Sequence, residues 1–147
     1  MEKDTRDPQL QLITPDTTSE VAVPMASSCV SAGFPSPAED FLEPSLDLNR
    51  TLVRNPASTF FARVSGESMK DAGIHDGDLL VVDKSVEPAD GCIAVCFLDG
   101  EFTLKRVRID GRRITLLPAN DRYRPIEILP DDEFSVWGVV TYTIRKF

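Results

Sequence analysis

Residues 92–109 read CIAVCFLDGEFTLKRVRI, and this stretch decides the fold class. The segments 92–98 and 101–109 are rich in Val, Ile, Phe and Thr, which are residue types enriched in β-strands. Between them stands Asp99-Gly100, a dipeptide that favours the two-residue turn of a β-hairpin. The stretch therefore predicts two antiparallel strands joined by a tight turn.

The chain around this hairpin predicts more short strands, separated by turn residues. We expect them at 59–64, 79–83, 113–117 and 134–144. Strands at such close spacing are typical of a mainly β domain, here a folded and partly closed sheet or barrel. Residues 41–55 (FLEPSLDLNRTLVRN) have a partly helical apolar pattern, which predicts a helical turn or two that Pro56 ends.

Residues 1–40 differ from the rest in composition. They are rich in Pro, Ser, Thr and acidic residues and have no sustained apolar period. We therefore expect a flexible, extended N-terminal arm over 1–40 and one β-rich domain over 41–147.

The charge of the chain argues against some classes of protein. The net charge of the 147 residues is −8, whereas a protein that binds nucleic acid strongly needs a basic face. Direct, strong nucleic-acid binding is not expected, although binding to a protein that itself holds DNA stays open.

No segment has the ~20 apolar residues that span a bilayer, and the first twelve residues, MEKDTRDPQLQL, lack the apolar run of a secretory signal. We expect a cytoplasmic protein without a membrane anchor.

The three cysteines, Cys29, Cys92 and Cys96, do not predict a disulfide framework or a metal site. Their number is odd and no export signal is apparent. Cys92 and Cys96 stand four residues apart on a predicted strand, a spacing of roughly 13 Å, which is too long for a disulfide or a shared metal. We interpret them as small core residues.

Ser68, in the segment SGESM at 65–69, is the candidate nucleophile. Gly66 permits a tight turn after a strand, so the Ser68 hydroxyl could be presented at the strand end. Backbone N–H groups of Glu67 and Ser68 could then form an oxyanion hole. A Gly-x-Ser sequence by itself also fits an ordinary turn.

A serine hydroxyl needs a neighbouring base, and the chain offers two candidates. His75 is the single histidine and lies between polar turn residues, where a solvated side chain is the ordinary outcome. Lys105 stands within an apolar strand, where burial can favour a neutral amine. Strand alternation places Lys105 on one face with Thr103 and Val107, but does not say whether that face meets a site or solvent.

Three segments together closely resemble the LexA/UmuD family of self-cleaving Ser/Lys proteins, peptidase family S24. They are SGESM at 65–69, GIHDGDLLVVD at 73–83 and DGEFTLKR at 99–106. A fourth segment, AGFPSPAEDF at 32–41, resembles the cleavage region of the UmuD branch. Because the parts keep their order and spacing over roughly residues 30–144, the combination is far more specific than any one of them.

The resemblance implies a role for each matching residue. Ser68 matches the nucleophile of the family and Lys105 its general base, whereas His75 has no catalytic counterpart. The Ala32–Gly33 bond matches the Ala–Gly or Cys–Gly bond that the family cuts. The resemblance implies no metal and no cofactor.

The resemblance also implies partners. In the UmuD branch, RecA filaments on single-stranded DNA stimulate self-cleavage during the SOS response to DNA damage. The trimmed homodimer then joins a Y-family, UmuC-like polymerase subunit in error-prone translesion synthesis. The residues before Ala32 show no helix-turn-helix pattern, which favours this branch over the LexA repressors.

Three alternative functions remain. A non-catalytic interaction module could keep the same fold, although Ser68, Lys105 and the cleavable bond are all present. A signal peptidase also uses a Ser/Lys dyad, but it needs a membrane anchor. A phage-type repressor fragment would need DNA-binding helices.

Overall fold

The computed structural model describes residues 11–20, 22–26, 32–33 and 42–147. The chain divides into two compact units. The larger comprises the residues up to Pro15 together with Asn55–Phe147, and the smaller comprises Asp16–Arg54.

The described residues form ten strands and one α-helix, numbered here in chain order. The strands are β1 (Gln11–Ile13), β2 (Ala22–Ala26), β3 (Leu42–Asp47), β4 (Thr59–Arg63), β5 (Leu79–Asp83), β6 (Ile93–Leu98), β7 (Glu101–Asp110), β8 (Arg113–Leu117), β9 (Ile126–Glu127) and β10 (Phe134–Ile144). The helix α1 is Leu48–Leu52, and short 3-10 turns occur at Pro56–Ser58 and Lys70–Ala72.

The larger unit is built on one curled antiparallel sheet of eight strands. Their order is β1-β4-β5-β10-β6-β7-β8-β9, so the last strand of the chain lies in the middle of the sheet. The prediction of a mainly β, folded sheet is confirmed. The sheet brings β4 and β5 to one side of β10 and the β6–β7 hairpin to the other.

Apolar residues cover both faces of this sheet. One cluster contains Met69, Ile74, Val95 and Leu104 among its buried members, and the other contains Ala94, Cys96, Val107 and Leu116. Val95 and its neighbours Ala94 and Cys96 belong to different clusters because successive side chains on a strand point to opposite faces. Strands β6 and β7 are therefore covered on both sides.

The local sequence predicted most strand positions in this unit. The ranges 79–83, 113–117 and 134–144 are confirmed, and the β6–β7 hairpin pairs Leu98 with Glu101 across the Asp99-Gly100 turn. The strand predicted at 59–64 ends one residue earlier, whereas the one predicted at 101–109 extends to Asp110. The short strands β1 and β9 were missed because a run of two or three residues shows no period.

The helical turn predicted within 41–55 is present as α1, but the strand β3 that precedes it was not predicted. Residues 42–47 form β3, and only the five residues of α1 are helical. The Asp47 carboxylate accepts the Asn49 N–H and so caps the start of α1. The helix ends at Leu52, before Pro56 could end it.

The smaller unit contains an antiparallel pair, β2 and β3. The pairing shifts register between Val23 and Met25, opposite Pro44. A strand tolerates proline, which has no backbone N–H, at such an irregular point. Ala32 and Gly33 lie in a bend of this unit and both are exposed.

The range predicted as an arm includes β1, which belongs to the larger unit and pairs with β4 there. The arm boundary at residue 40 stays a prediction.

Gly138 lies at an irregular point of β10, where its pairing with β6 shifts register. A Cβ atom at Gly138 would lie 2.6 Å from Cγ1 of Val82, which is fully buried and rotationally stiff. We expect Gly138→Ala to lower the free energy of unfolding by roughly 1–3 kcal/mol, the usual effect of overpacking a core. Denaturant unfolding measures it, with Ser135→Ala, an exposed position on the same strand, as the control. Equal stability of the Gly138→Ala variant and the unchanged protein would contradict the expectation.

Candidate active site

The segment around Ser68 is a loop that leaves the end of β4. Gly66 adopts φ of 101°, a conformation that other residues rarely accept, and its N–H donates to the Asp76 carboxylate at 2.7 Å. The base of the loop is closed by backbone bonds from Val64 to Asp78 and from Gly77 to Val64. The predicted tight turn at Gly66 is present, and the turn at 75–78 supports it.

The Ser68 side chain is buried in this loop, with 1% of the residue exposed. No described residue supplies a hydrogen bond to its Oγ. The backbone on either side of Ser68 is held by the segment after β8. Ala119 N–H donates to the Ser68 carbonyl at 2.8 Å, and the Asn120 amide donates to the Glu67 carbonyl at 2.8 Å.

Lys105 lies in the middle of β7 and is also 1% exposed. Its Nζ donates to Thr103 Oγ1 at 2.9 Å and to the Leu104 carbonyl at 3.2 Å. Thr103, Lys105 and Val107 share a face, as alternation predicted, and all three are buried. The possibility that this face meets solvent is thereby excluded, and the amine is fixed by the residue two positions before it.

The backbone hydrogen bonds connect the Ser68 loop to the neighbourhood of Lys105. Ala119, which bonds to Ser68, stands two residues beyond Leu117, the last residue of β8. Leu117 pairs in register with Arg106, the residue next to Lys105. The Ser68 loop is therefore bonded just beyond the end of β8 whose partner in β7 is the residue next to Lys105.

His75 does not form a triad with Ser68. Its Nδ1 lies 3.6 Å from Oε2 of Glu67, and 43% of its side chain is exposed. Neither the His75 imidazole nor the Lys105 amine forms a hydrogen bond with Ser68 Oγ in this structure, and the imidazole is turned toward Glu67. Glu67 itself is half exposed, so the pair lies at the surface.

The cysteines of the larger unit are not activated nucleophiles. Burial raises the pKa of the Cys96 thiol to about 12. Burial likewise raises the pKa of Cys92, which is half-buried. A thiol with a raised pKa has little reactive thiolate at neutral pH, which agrees with the core role predicted from sequence. Cys29 lies outside the described residues.

The structure adds three residues that sequence reasoning missed. Thr103 could have been found, since it stands two positions before Lys105 on the same face. Asp76 and Asn120 act on the Ser68 loop from 10 and 53 residues away along the chain, and no local pattern predicts such contacts.

The candidate site involves no metal cluster in the part of the chain that the structure describes. There, no three His, Cys, Asp or Glu side chains group together as metal ligands would. Within the same residues, no helix has the length and apolar character needed to cross a membrane.

The chain belongs to the Peptidase S24-like family, whose family model matches residues 24–141. Within that family it is UmuD-like. It is similar to Protein SamA of Salmonella typhimurium, with 45% identity over 138 residues that cover 93% of this chain and 96% of SamA. It is 44% identical to Protein MucA of Escherichia coli over 84% of each chain. These similarities support a peptidase family membership and a function of the LexA/UmuD type, related to the SOS response.

A LexA repressor is also similar, over a smaller part of its own length. The repressor of Bordetella avium is 40% identical over 127 residues, which are 86% of this chain and 59% of the repressor. The family model covers residues 24–141, which include Ser68, Lys105 and most of the larger unit.

Proposed function

We propose that the chain is a serine endopeptidase that cleaves its own Ala32–Gly33 bond, with Ser68 as nucleophile and Lys105 as general base. The observation that carries the proposal is the Ser68 hydroxyl, which is buried and receives no hydrogen bond from the described residues. A buried hydroxyl left without a partner costs roughly 1–3 kcal/mol, so its presence calls for a compensating role. Membership in a peptidase family supports a catalytic one.

The surroundings of Lys105 support its role as the base. Lys105 is 1% exposed, so its amine is shielded from solvent. Thr103 Oγ1 and the Leu104 carbonyl hold Nζ in one orientation. His75, the other candidate, faces Glu67 at the surface.

Cleavage proceeds in two steps that conserve protons. Lys105 Nζ takes the Ser68 hydroxyl proton while Oγ attacks the carbonyl carbon of Ala32, and the N–H groups of Glu67 and Ser68 stabilise the oxyanion. The protonated amine then gives a proton to the nitrogen of Gly33, the peptide bond breaks, and Ala32 remains as an ester on Ser68. In the second step Lys105, neutral again, takes a proton from the water that attacks this ester and returns it to Ser68 Oγ, which frees the serine and residues 1–32.

The scissile bond suits this chemistry. Ala32 and Gly33 are small and exposed, and a Cβ at Gly33 would meet no atom within 4 Å. Because the substrate is part of the same chain, linkage supplies a high effective concentration and only positioning is required. A segment that docks and leaves makes the rate controllable.

The similarity to UmuD-like proteins supports a wider role in the response to DNA damage. We propose that RecA filaments on single-stranded DNA stimulate the cleavage in the cytoplasm. The product, a homodimer, would then serve as accessory subunit of a Y-family, UmuC-like polymerase in translesion synthesis. A net charge of −8 agrees with contacts to DNA made through such partners.

We expect cleavage to leave a fragment that begins at Gly33. The released residues 1–32 contain two basic and five acidic residues, so the net charge changes from −8 to −5. Intact mass measurement of the purified protein, incubated with and without RecA filaments, gives the site directly, and the less acidic product separates by ion exchange. A fragment with another N-terminus would contradict the assigned bond.

Ser68→Ala is the matched control for this measurement, because it removes a single oxygen from a buried position. It should stay intact under the same conditions. If the unchanged protein also stays intact, with RecA filaments and at raised pH, the chain is instead the non-catalytic interaction module.

A further inference from the structure

Asn120 is a buried polar residue that contacts the Ser68 loop from a distant part of the chain. It is 6% exposed and lies just beyond β8. Its Nδ2 donates to the Glu67 carbonyl at 2.8 Å, and its Oδ1 accepts the Arg122 N–H at 3.0 Å. Both ends of the amide are thus engaged, which fixes the orientation of the donor.

The bond to the Glu67 carbonyl sets the direction of the Ser68 N–H. These two groups belong to one peptide unit, which is planar and trans, so they point in opposite directions. With the carbonyl held toward Asn120, the Ser68 N–H is directed away from it. The next peptide unit is held in the same way, since the Ser68 carbonyl accepts the Ala119 N–H at 2.8 Å.

The Glu67 carbonyl also accepts the Lys70 N–H, at the longer distance of 3.3 Å. Asn120 and this turn bond together hold the first peptide unit, and Ala119 holds the second. Among the described residues, no acceptor takes the Ser68 N–H. An N–H that is fixed in direction and not bonded within the fold is what an oxyanion hole requires, because preorganised donors stabilise the developing charge without rearrangement.

We infer that Asn120 is a positioning residue for self-cleavage: its amide holds the Glu67–Ser68 peptide so that the Ser68 N–H faces the oxyanion. The inference rests on the proposed function. It assigns to Asn120 a part in oxyanion stabilisation and none in proton transfer, which Lys105 performs.

Asn120→Asp tests this inference with the smallest change. A carboxylate keeps the shape and still accepts the Arg122 N–H, but it cannot donate to the Glu67 carbonyl and repels it instead. We expect the cleavage rate to fall by roughly 100-fold, as for the loss of an oxyanion donor. Asn120→Ala should show a similar loss.

The pH dependence of cleavage separates positioning from a merely structural effect. If Asn120 acts on the oxyanion, the rate falls at every pH and the midpoint of the pH–rate profile does not move, because the base is unchanged. An effect on the base itself would move the midpoint, and a loosened fold would lower the thermal unfolding temperature. Thermal unfolding of the same variants completes the comparison.

Asn55→Ala is the matched control. The Asn55 amide donates to the Asp83 carboxylate at 3.0 Å. Asp83 lies at one end of the β4–β5 pair, whereas Arg63, from which the chain continues to Ser68, lies at the other end. We expect this variant to lose some thermal stability and to cleave at the unchanged rate.

Each outcome decides one point. Cleavage of Asn120→Asp at the unchanged rate, a displaced pH midpoint, or an equal loss in Asn55→Ala would overturn the inference. If the unchanged protein does not cleave at Ala32–Gly33, the proposed function fails instead. In that case amide hydrogen exchange of residues 66–72 still tests the contact, since exchange should be faster in Asn120→Asp and is unaltered if the contact does not hold the loop.

Discussion

Replacing Lys105 with arginine will stop self-cleavage, although the substitution keeps the positive charge and nearly the length of the side chain. A guanidinium does not give up its proton in proteins, so it cannot accept one from Ser68. Loss of general-base catalysis typically lowers a rate by roughly 10²- to 10⁴-fold. Intact mass measurement over time gives the remaining rate.

The pH dependence identifies the base independently. A lysine accepts a proton only as the neutral amine, so a lysine base makes cleavage faster as the pH rises above neutrality. His75→Ala should leave this profile unchanged. A profile that rises near ~6.5, as for histidine, and disappears in His75→Ala would overturn the Ser/Lys assignment.

Two further variants separate chemistry from folding. Lys105→Met removes the amine without adding the bulk of a guanidinium at a position that is 1% exposed, and should be equally inactive. Ser68→Cys should keep some activity because a thiol is more acidic and more nucleophilic than a hydroxyl. Activity in the lysine variants, measured on samples that unfold cooperatively, would show that another group accepts the proton.

Replacing Arg145 with alanine will produce the largest loss of stability that we expect from a substitution outside the candidate site. The Asp78 side chain is 2% exposed, and its carboxylate forms paired hydrogen bonds with Arg145 at 3.0 and 2.9 Å. Removing one partner of a buried ion pair leaves an uncompensated charge, which costs about 3–5 kcal/mol. Since 35% of the Arg145 side chain is exposed, water compensates in part, and the loss is smaller than for a fully buried pair.

The loss should depend on pH in a stated direction. The hydrogen bonds from Arg145 lower the pKa of Asp78 against the opposing effect of burial. Because the pKa of Asp78 is lowered, its ionised carboxylate stabilises the fold at pH values above the ordinary pKa of 3.8. This stabilisation is lost as the pH falls through the lowered pKa. The difference between Arg145→Ala and the unchanged protein is therefore largest near neutral pH and shrinks below about pH 4.

Asp83 also contributes to the free energy of unfolding, and this contribution is lost in acid. It is the same in Arg145→Ala and in the unchanged protein. Burial opposes its ionisation, but hydrogen bonds from Ser85, Asn55 and Ser58 outweigh it and lower the pKa to about 2. Denaturant unfolding across the acid range measures both effects. Lys146→Ala, an exposed neighbour of Arg145, is the control and should unfold like the unchanged protein, whereas an equal loss in both variants would contradict the ion-pair account.

The candidate site could be predicted from sequence only in its chemistry. The segment SGESM and the basic pair in the hairpin strand indicated Ser68 and Lys105, and the chain belongs to the family that those motifs indicated. Alternation also placed Thr103 and Lys105 on one face. It could not show that this face is buried, since burial depends on distant parts of the chain. The face also carries Ala94 and Cys96, the register partners of Lys105 and Thr103, which belong to the same buried cluster as Leu116.

The sequence by itself determined the β-hairpin, the bounds of β5, β8 and β10, and the family, because strand alternation and turn chemistry act between near neighbours. It misread residues 42–47, where a mixed apolar pattern fits both a helix and an edge strand. Only the tertiary structure decided that Ser68 Oγ is buried without a described partner and that Asn120 donates to the neighbouring Glu67 carbonyl. Those features arise where β8 ends beside the Ser68 loop, and a contact between residues 53 positions apart leaves no trace in a local pattern.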